Sequence, residues 1–248
     1  MTNPDPTVGQ SPRRPVPVFW HKPARIPWVS YVLIGINVMV YLIQVVAKVT
    51  LQADPLKETG ALVEAQVLGG EVWRLITYAF LHCSLIHVGI NMYSLYILRW
   101  RELDYGHGRY LSLYLVSALG GSVAWLLVSS QSTLGAAAPL FGIIGAEITL
   151  LLKNRPLFAN PGKHLTSILL TIAINLFLAL TLKLNMFSIL GGLLTGMVYG
   201  LFAGPVWRGA FEPSGLHIID QQAPGRSLMV SGVLALIFCL IILAKMVL

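Results

Sequence analysis

The chain has 248 residues, 56% hydrophobic and 11% charged, with a mean hydropathy of +0.73. A soluble domain carries about a quarter charged residues, so composition excludes that class and indicates a polytopic membrane protein. The net charge of +7 sits mostly between apolar runs rather than in one patch, which argues against a nucleic-acid groove and for a role in topology.

Residues 1–27 are rich in proline and polar side chains; they read as a disordered cytoplasmic tail, without the apolar stretch and cleavage site of a signal peptide. Seven apolar runs follow, at about 28–49, 86–103, 110–129, 136–152, 165–183, 186–204 and 227–247. Each approaches the ~20 residues that span a bilayer as a helix. With the N terminus inside, twelve of the 17 Lys and Arg fall on the cytoplasmic side, among them Arg99, Arg101, Arg109, Lys153 and Arg155. That distribution fits the positive-inside rule and suits a bacterial inner membrane. The expected organisation is a tail (1–27), a six-helix membrane domain (28–206), a cytoplasmic linker (207–226) and a seventh transmembrane helix (227–248).

In the first helix, Asn37 is a polar group expected to make a structural hydrogen bond. The long outer loop, Leu51 to about His82, has apolar faces and predicts short interfacial helices with Trp73 at headgroup depth. Arg99-Trp100-Arg101-Glu102 reads as an inner-interface anchor. A serine-rich outer turn, Ser129 to Ser132, precedes the fourth helix. That helix carries Glu147, expected in a structural hydrogen bond, and a face of Ala138, Gly142 and Ala146. Asn175 stands alone in the fifth helix, and Leu184 and Asn185 lead from it into the sixth. The sixth presents Gly192, Gly196, Gly200 and Gly204, four apart, a stripe that lets a neighbouring backbone approach closely. The pairing predicted is fourth helix on sixth. Cys83 and Cys239 read as small core residues, and the sequence suggests no disulfide framework, metal site or cofactor.

The most informative segment runs from Trp73 to Tyr96. It brings His82, His87 and Asn91 into an otherwise apolar stretch, and His87 and Asn91, four apart, share a helix face. Intramembrane polar groups mark functional sites by default. The spacing of Trp73-Arg74, Thr77, Phe80, His82, His87 and Asn91 resembles the first loop and second helix of rhomboid intramembrane serine proteases. Glu102, Gly106 and Arg109-Tyr110 are similar to the turn that follows in that family. The resemblance implies an all-α polytopic membrane fold, a rhomboid-like six-helix core plus one C-terminal transmembrane helix. It also implies that His87 and Asn91 donate to an oxyanion, that His82 and Trp73 order the site, and that Arg74 braces the first loop.

The catalytic pair departs from the family pattern. Rhomboids carry a nucleophilic Ser at the start of the fourth helix and a His base on the sixth, just before a Gly pair. Here Gly135-Ala136-Ala137-Ala138-Pro139-Leu140-Phe141-Gly142 puts Ala137 at the first position, and Ser188-Ile189-Leu190-Gly191-Gly192 puts Ile189 at the second. Alanine has no hydroxyl and isoleucine no titratable group, so covalent serine catalysis is absent. The nearby hydroxyls are Ser84, Ser94, Ser132, Thr133 and Ser188; Ser84 lies three residues from His87, but no motif supports them as a dyad. The reading is therefore a pseudoprotease that binds transmembrane segments of client proteins within the bilayer. The alternative is a serine endopeptidase whose dyad has been replaced in this chain. A transporter gains no support, since no inverted repeat or intramembrane charge pathway is apparent.

Overall fold

Lipid offers no hydrogen bonds to the backbone, so an apolar run must satisfy its own amides, and the α-helix does so locally. A computed structural model describes residues 26–128, 132–181, 185–212, 215–223 and 225–247. The proline-rich tail up to residue 25, most of the serine-rich turn and Leu184 lie outside the described residues.

Helix α1 runs Trp28–Leu51. The outer loop then forms three short helices, α2 (Pro55–Gly60), α3 (Glu64–Leu68) and α4 (Arg74–Thr77), the last continued by a 3-10 turn, Tyr78–Phe80. The remaining long helices are α5 (Leu85–Tyr105), α6 (His107–Val128), α7 (Ala137–Lys153), α8 (Pro161–Thr181), α9 (Met186–Ala203) and α10 (Arg226–Val247). Five of them, α1, α6, α8, α9 and α10, are long and apolar enough to cross a membrane by themselves; α4, its 3-10 turn and α5 pass the same test together but are bent by 94°. Helix α7, at 17 residues, is shorter and lies at the centre. The architecture is the all-α polytopic membrane fold expected. One addition stands out: the linker folds as an antiparallel hairpin, β1 (Trp207–Glu212) on β2 (Gly215–Asp220), with Trp207 opposite Asp220. Arg109 of α6 holds it through Asp220, 2.5 Å away.

Helices α7 and α9 pack most extensively, and their backbones touch. A Cβ placed on Gly196 would fall 1.9 Å from the carbonyl oxygen of Gly142, and one on Gly192 would fall 2.1 Å from that of Ala138. Gly200 approaches Thr149 and Ala146 in the same way. Helix α6 closes the third side, where a Cβ on Gly191 would meet Ala124 and the Gly120 carbonyl oxygen. Apolar side chains do not drive association in lipid, so the van der Waals attraction between closely approaching backbones is what holds such helices together.

The N-terminal ends of α1 and α6 and the C-terminal end of α5 converge on one carboxylate. Glu102, fully buried, accepts from the backbone N–H of Val29 (3.0 Å) and Ser30 (2.7 Å) and from the Ser30 hydroxyl (2.7 Å), with His107 Nδ1 at 2.5 Å. It thus caps the N terminus of α1, whose own preceding residue, Pro27, supplies no side-chain cap. An anion there satisfies orphan donors and opposes the positive end of the helix dipole. Glu102 is therefore a buried tie between helices, whereas its neighbours Arg99 and Trp100 stay at the surface, the guanidinium over the Tyr96 and Trp100 rings. Glu147 meets His164 Nε2 at 3.0 Å and Arg101 Nε at 3.7 Å, joining α7 to the start of α8 and to α5. Helix α8 otherwise shows most of its surface.

Two glycine substitutions separate packing from propensity. Gly196→Val should lower the thermal unfolding midpoint in detergent, because overpacking at backbone contact costs about 1–3 kcal/mol or more. Gly89→Ala, where a Cβ would meet nothing within 4 Å, should leave it unchanged or raise it, since Ala is favoured by about 0.5–1 kcal/mol over Gly inside a helix. Equal destabilisation by both would contradict the packing described.

Candidate functional site

The loop between α1 and α5 is a built scaffold, not a tether. Arg74, 2% exposed, donates from Nη1 to the Ala61 carbonyl (2.7 Å), from Nη2 to the Glu58 carbonyl (2.8 Å) and from Nε to Glu71 (2.6 Å). Thr77 Oγ1 donates to the Gly60 carbonyl at 2.9 Å, and exposed Trp73 reaches the Thr59 carbonyl through Nε1 at 3.0 Å. The Tyr78 hydroxyl donates to the Ala118 carbonyl at 2.8 Å, anchoring the 3-10 turn to α6. Leu62 and Thr133 exchange both backbone hydrogen bonds at 3.0 Å, so the loop also holds the segment that enters α7.

That scaffold delivers the imidazoles. His82 is fully buried, and its backbone N–H donates to Gln44 Oε1 of α1 at 3.0 Å, while neither ring nitrogen has a hydrogen-bond partner among the described residues. Gln44 in turn donates to Asp54 (3.0 Å), which meets Lys48 at 3.2 Å. Burial, and secondarily the neighbouring His87, push the His82 pKa down to about 3 against a weaker opposing effect of the Phe80 backbone, so the ring is neutral. Ser84 begins α5: its hydroxyl accepts the His87 N–H at 3.2 Å as an N-cap. The His87 ring lies edge-on to His82, centroids 5.1 Å apart, and its Nδ1 is 3.3 Å from Cys83 Sγ. Its other side faces Gly135, which has φ +123°; a Cβ there would sit 2.7 Å from Nε2. Only glycine fits both demands. One turn below, Asn91 is 6% exposed, and its Nδ2 has no hydrogen-bond partner among the described residues.

Opposite these groups stands an apolar pair. Ala137 is the first residue of α7, and Ile189, in the first turn of α9, is 2% exposed; both belong to a small cluster with Phe141 and Ala179. The contact of α7 with α9 brings them together. A cavity of about 610 Å³ opens beside them, lined by His87, Cys83, Tyr78, Ser188, Ala137 and Ile189 among others. A narrower groove of about 300 Å³ runs from the same His87, Ala137 and Ile189 between α5 and α8, past Asn91, Ser94 and Asn175. Of the hydroxyls near the site, Ser84 caps α5, Ser94 donates to the Ile90 carbonyl and Ser188 Oγ faces the Tyr78 hydroxyl at 3.4 Å, while Ser132 and Thr133 line the larger cavity.

A family model for the Rhomboid domain matches residues 69–206, more than half of the chain. The chain belongs to the rhomboid family. Among its relatives are RHOMBOID-like protein 6, mitochondrial, of Arabidopsis thaliana, 38% identical over 151 residues, and RHOMBOID-like protein 5 of the same plant, 35% over 149. These alignments cover 60% and 58% of this chain, and 49% and 48% of the relatives. Rhomboid protease GluP of Bacillus subtilis is 28% identical over 187 residues, 75% of this chain and 36% of its own length. The chain thus spans about half or less of the curated relatives it matches. They come from plants, one of them described as mitochondrial, as well as from a bacterium, so the expectation of a bacterial inner membrane gains no support from them.

Two further residues of this rhomboid-family site do not stand out in the sequence. Gln44 lies seven residues after Asn37, two turns along the same helix face, and that repeat of polar side chains is the signal that could have found it. Cys83 reads as a core residue, yet it is exposed and contacts His87; being outside α5, it offers no helical spacing to read.

Neutral burial of His82 has a pH consequence. Its folded-state pKa lies below the ordinary 6.5, so the unfolded state takes up the proton first. Its contribution to stability is complete above about 6.5 and is lost as pH falls toward 3, by as much as about tenfold in the unfolding equilibrium per pH unit. Unfolding midpoints measured from pH 7 to 4 should fall, and His82→Asn should flatten that slope.

Proposed function

We propose that this membrane protein engages transmembrane segments of other proteins without cutting them. The observation that carries the reading is the pairing of Ala137 and Ile189 as an apolar contact at the two family positions of nucleophile and base, beside a groove that stays open between α5 and α8. A hydroxyl and an imidazole are both needed to form and break an acyl-enzyme, and neither residue supplies one. His87 and Asn91 would then act as polar contacts for a bound segment, retained from an oxyanion side, with His82, Trp73 and Arg74 holding them in place. The orientation that accompanies this reading puts the tail and the 207–226 linker in the cytoplasm, with 28–206 as the working domain and 227–248 as an added span.

A second reading, serine endopeptidase with its dyad replaced, draws support from the similarity to Rhomboid protease GluP. It predicts Ser at 137 and His at 189 in the natural protein.

A serine-reactive fluorophosphonate should leave the chain unlabelled, and gel fluorescence reads this directly; labelling lost on changing Ser84, Ser132 or Ser188 would overturn the proposal. Ala137→Ser combined with Ile189→His should raise cleavage of a helix-destabilised membrane reporter from background to a measurable rate, while either change alone stays at background. Cleavage by the unmodified chain would sink the non-cutting reading.

A further inference from the structure

The site holds a nucleophile that the family positions do not include. Cys83 is exposed, lines the larger cavity, and places Sγ 3.3 Å from His87 Nδ1. The His87 backbone is fixed by the Ser84 cap and its ring is confined by His82 and Gly135. A thiol beside a held imidazole is the general arrangement for an activated sulfur. The second observation is Asn91: almost wholly buried, on the wall of the adjoining groove, with an amide N–H₂ that lacks a partner among the described residues. A buried donor left without an acceptor is costly and points to a ligand oxygen. That groove, which shares His87, Ala137 and Ile189 with the cavity at Cys83, is lined mainly by apolar side chains such as Ile90, Ile97, Leu140 and Ile144.

We propose that Cys83 is a covalent modification site for lipid-soluble α,β-unsaturated carbonyl compounds, with His87 as its base and Asn91 as the donor to the carbonyl oxygen. The apolar tail of the electrophile lies in the groove and its reactive carbon meets Sγ. The S–H proton passes to His87 Nδ1 as sulfur bonds to the β-carbon. The C=C electron pair moves onto the α-carbon and carbonyl oxygen, where the Asn91 amide stabilises the enolate. The imidazolium then returns the proton to the α-carbon. No group leaves and no oxidant is needed. The adduct occupies the space between His87, Ala137 and Ile189, so it closes the inner end of the groove to any other occupant.

Cys239 faces lipid from the transmembrane helix α10, so the reference thiol is an interfacial cysteine on a membrane-anchored peptide in the same nanodiscs. The test treats the full chain in lipid nanodiscs with trans-2-nonenal, traps adducts by borohydride, and follows Cys83 and the reference by peptide mass spectrometry. Cys83 should react at least about tenfold faster than the reference, a modest part of what a positioned base supplies. His87→Gln should bring Cys83 to the reference rate. Asn91→Ala should slow nonenal addition severalfold yet leave alkylation by iodoacetamide, which forms no enolate, unchanged. The proposal is overturned if Cys83 of the unmodified chain reacts no faster than the reference, a comparison that needs no variant to fold. It is equally overturned if His87→Gln leaves the ratio intact, or if Asn91→Ala slows both reagents alike.

Discussion

Backbone contact between α7 and α9 sets the position of everything else. Helices in lipid gain little from burying one apolar side chain against another, because the acyl chains are as apolar as leucine. What remains is close approach: Gly145, Gly192 and Gly196 permit it by leaving carbonyl oxygens where a Cβ would stand, and Gly142 leaves room for the Ser117 side chain of α6. Once the two helices touch, their N-terminal ends meet, and Ala137 and Ile189 have no choice but to be neighbours. Helix α6 completes the wedge where its Gly120 approaches Thr195 of α9 and its Gly121 approaches Ala138 of α7. The same contact that in a working protease would assemble a dyad here assembles two hydrocarbon side chains.

The outer loop does the complementary task. Arg74 gathers three carbonyl or carboxylate partners from α2, the turn after it and the approach to α4. Gln44 extends that order back to α1 and forward to the His82 backbone. Rigid donors on one side and a glycine-packed wedge on the other leave the cavity between them as the place where neither can relax. At the far end, Lys245 of α10 pairs with Glu64 at 2.6 Å and bonds the Leu126 carbonyl, so the last helix grips both loop and α6.

Much of this was legible in the residues. Apolar runs located the long helices, with ends that differ by a few positions: α8 starts at Pro161 instead of 165 because its first turn is polar and exposed. Membership of the rhomboid family followed from spacing, since Trp73, Arg74, His82, His87 and Asn91 form one scaffold that fixes their offsets. Less legible were contacts that depend on tertiary approach. Glu102 looks like an interfacial charge until α1 is brought over it. The hairpin was hidden in a polar linker, although Pro213-Ser214-Gly215 between β-prone runs is a turn signal. Cys83 could not be told from a packing residue without the His87 ring beside it.

The groove between α5 and α8 carries a final consequence. An apolar trench facing a bilayer is solvated by acyl chains, which act as a competing occupant at very high local concentration. On the proposed reading, a transmembrane segment that replaced them would exchange one hydrocarbon surface for another and gain almost nothing from hydrophobicity. Selectivity must then come from what lipid tails cannot do: hydrogen-bond to the amides of Asn91 and Asn175 and fit the small surface at Ala137. Membrane composition and acyl-chain order are therefore thermodynamic partners of the site, and a detergent micelle, with shorter and looser chains, offers it a different competitor.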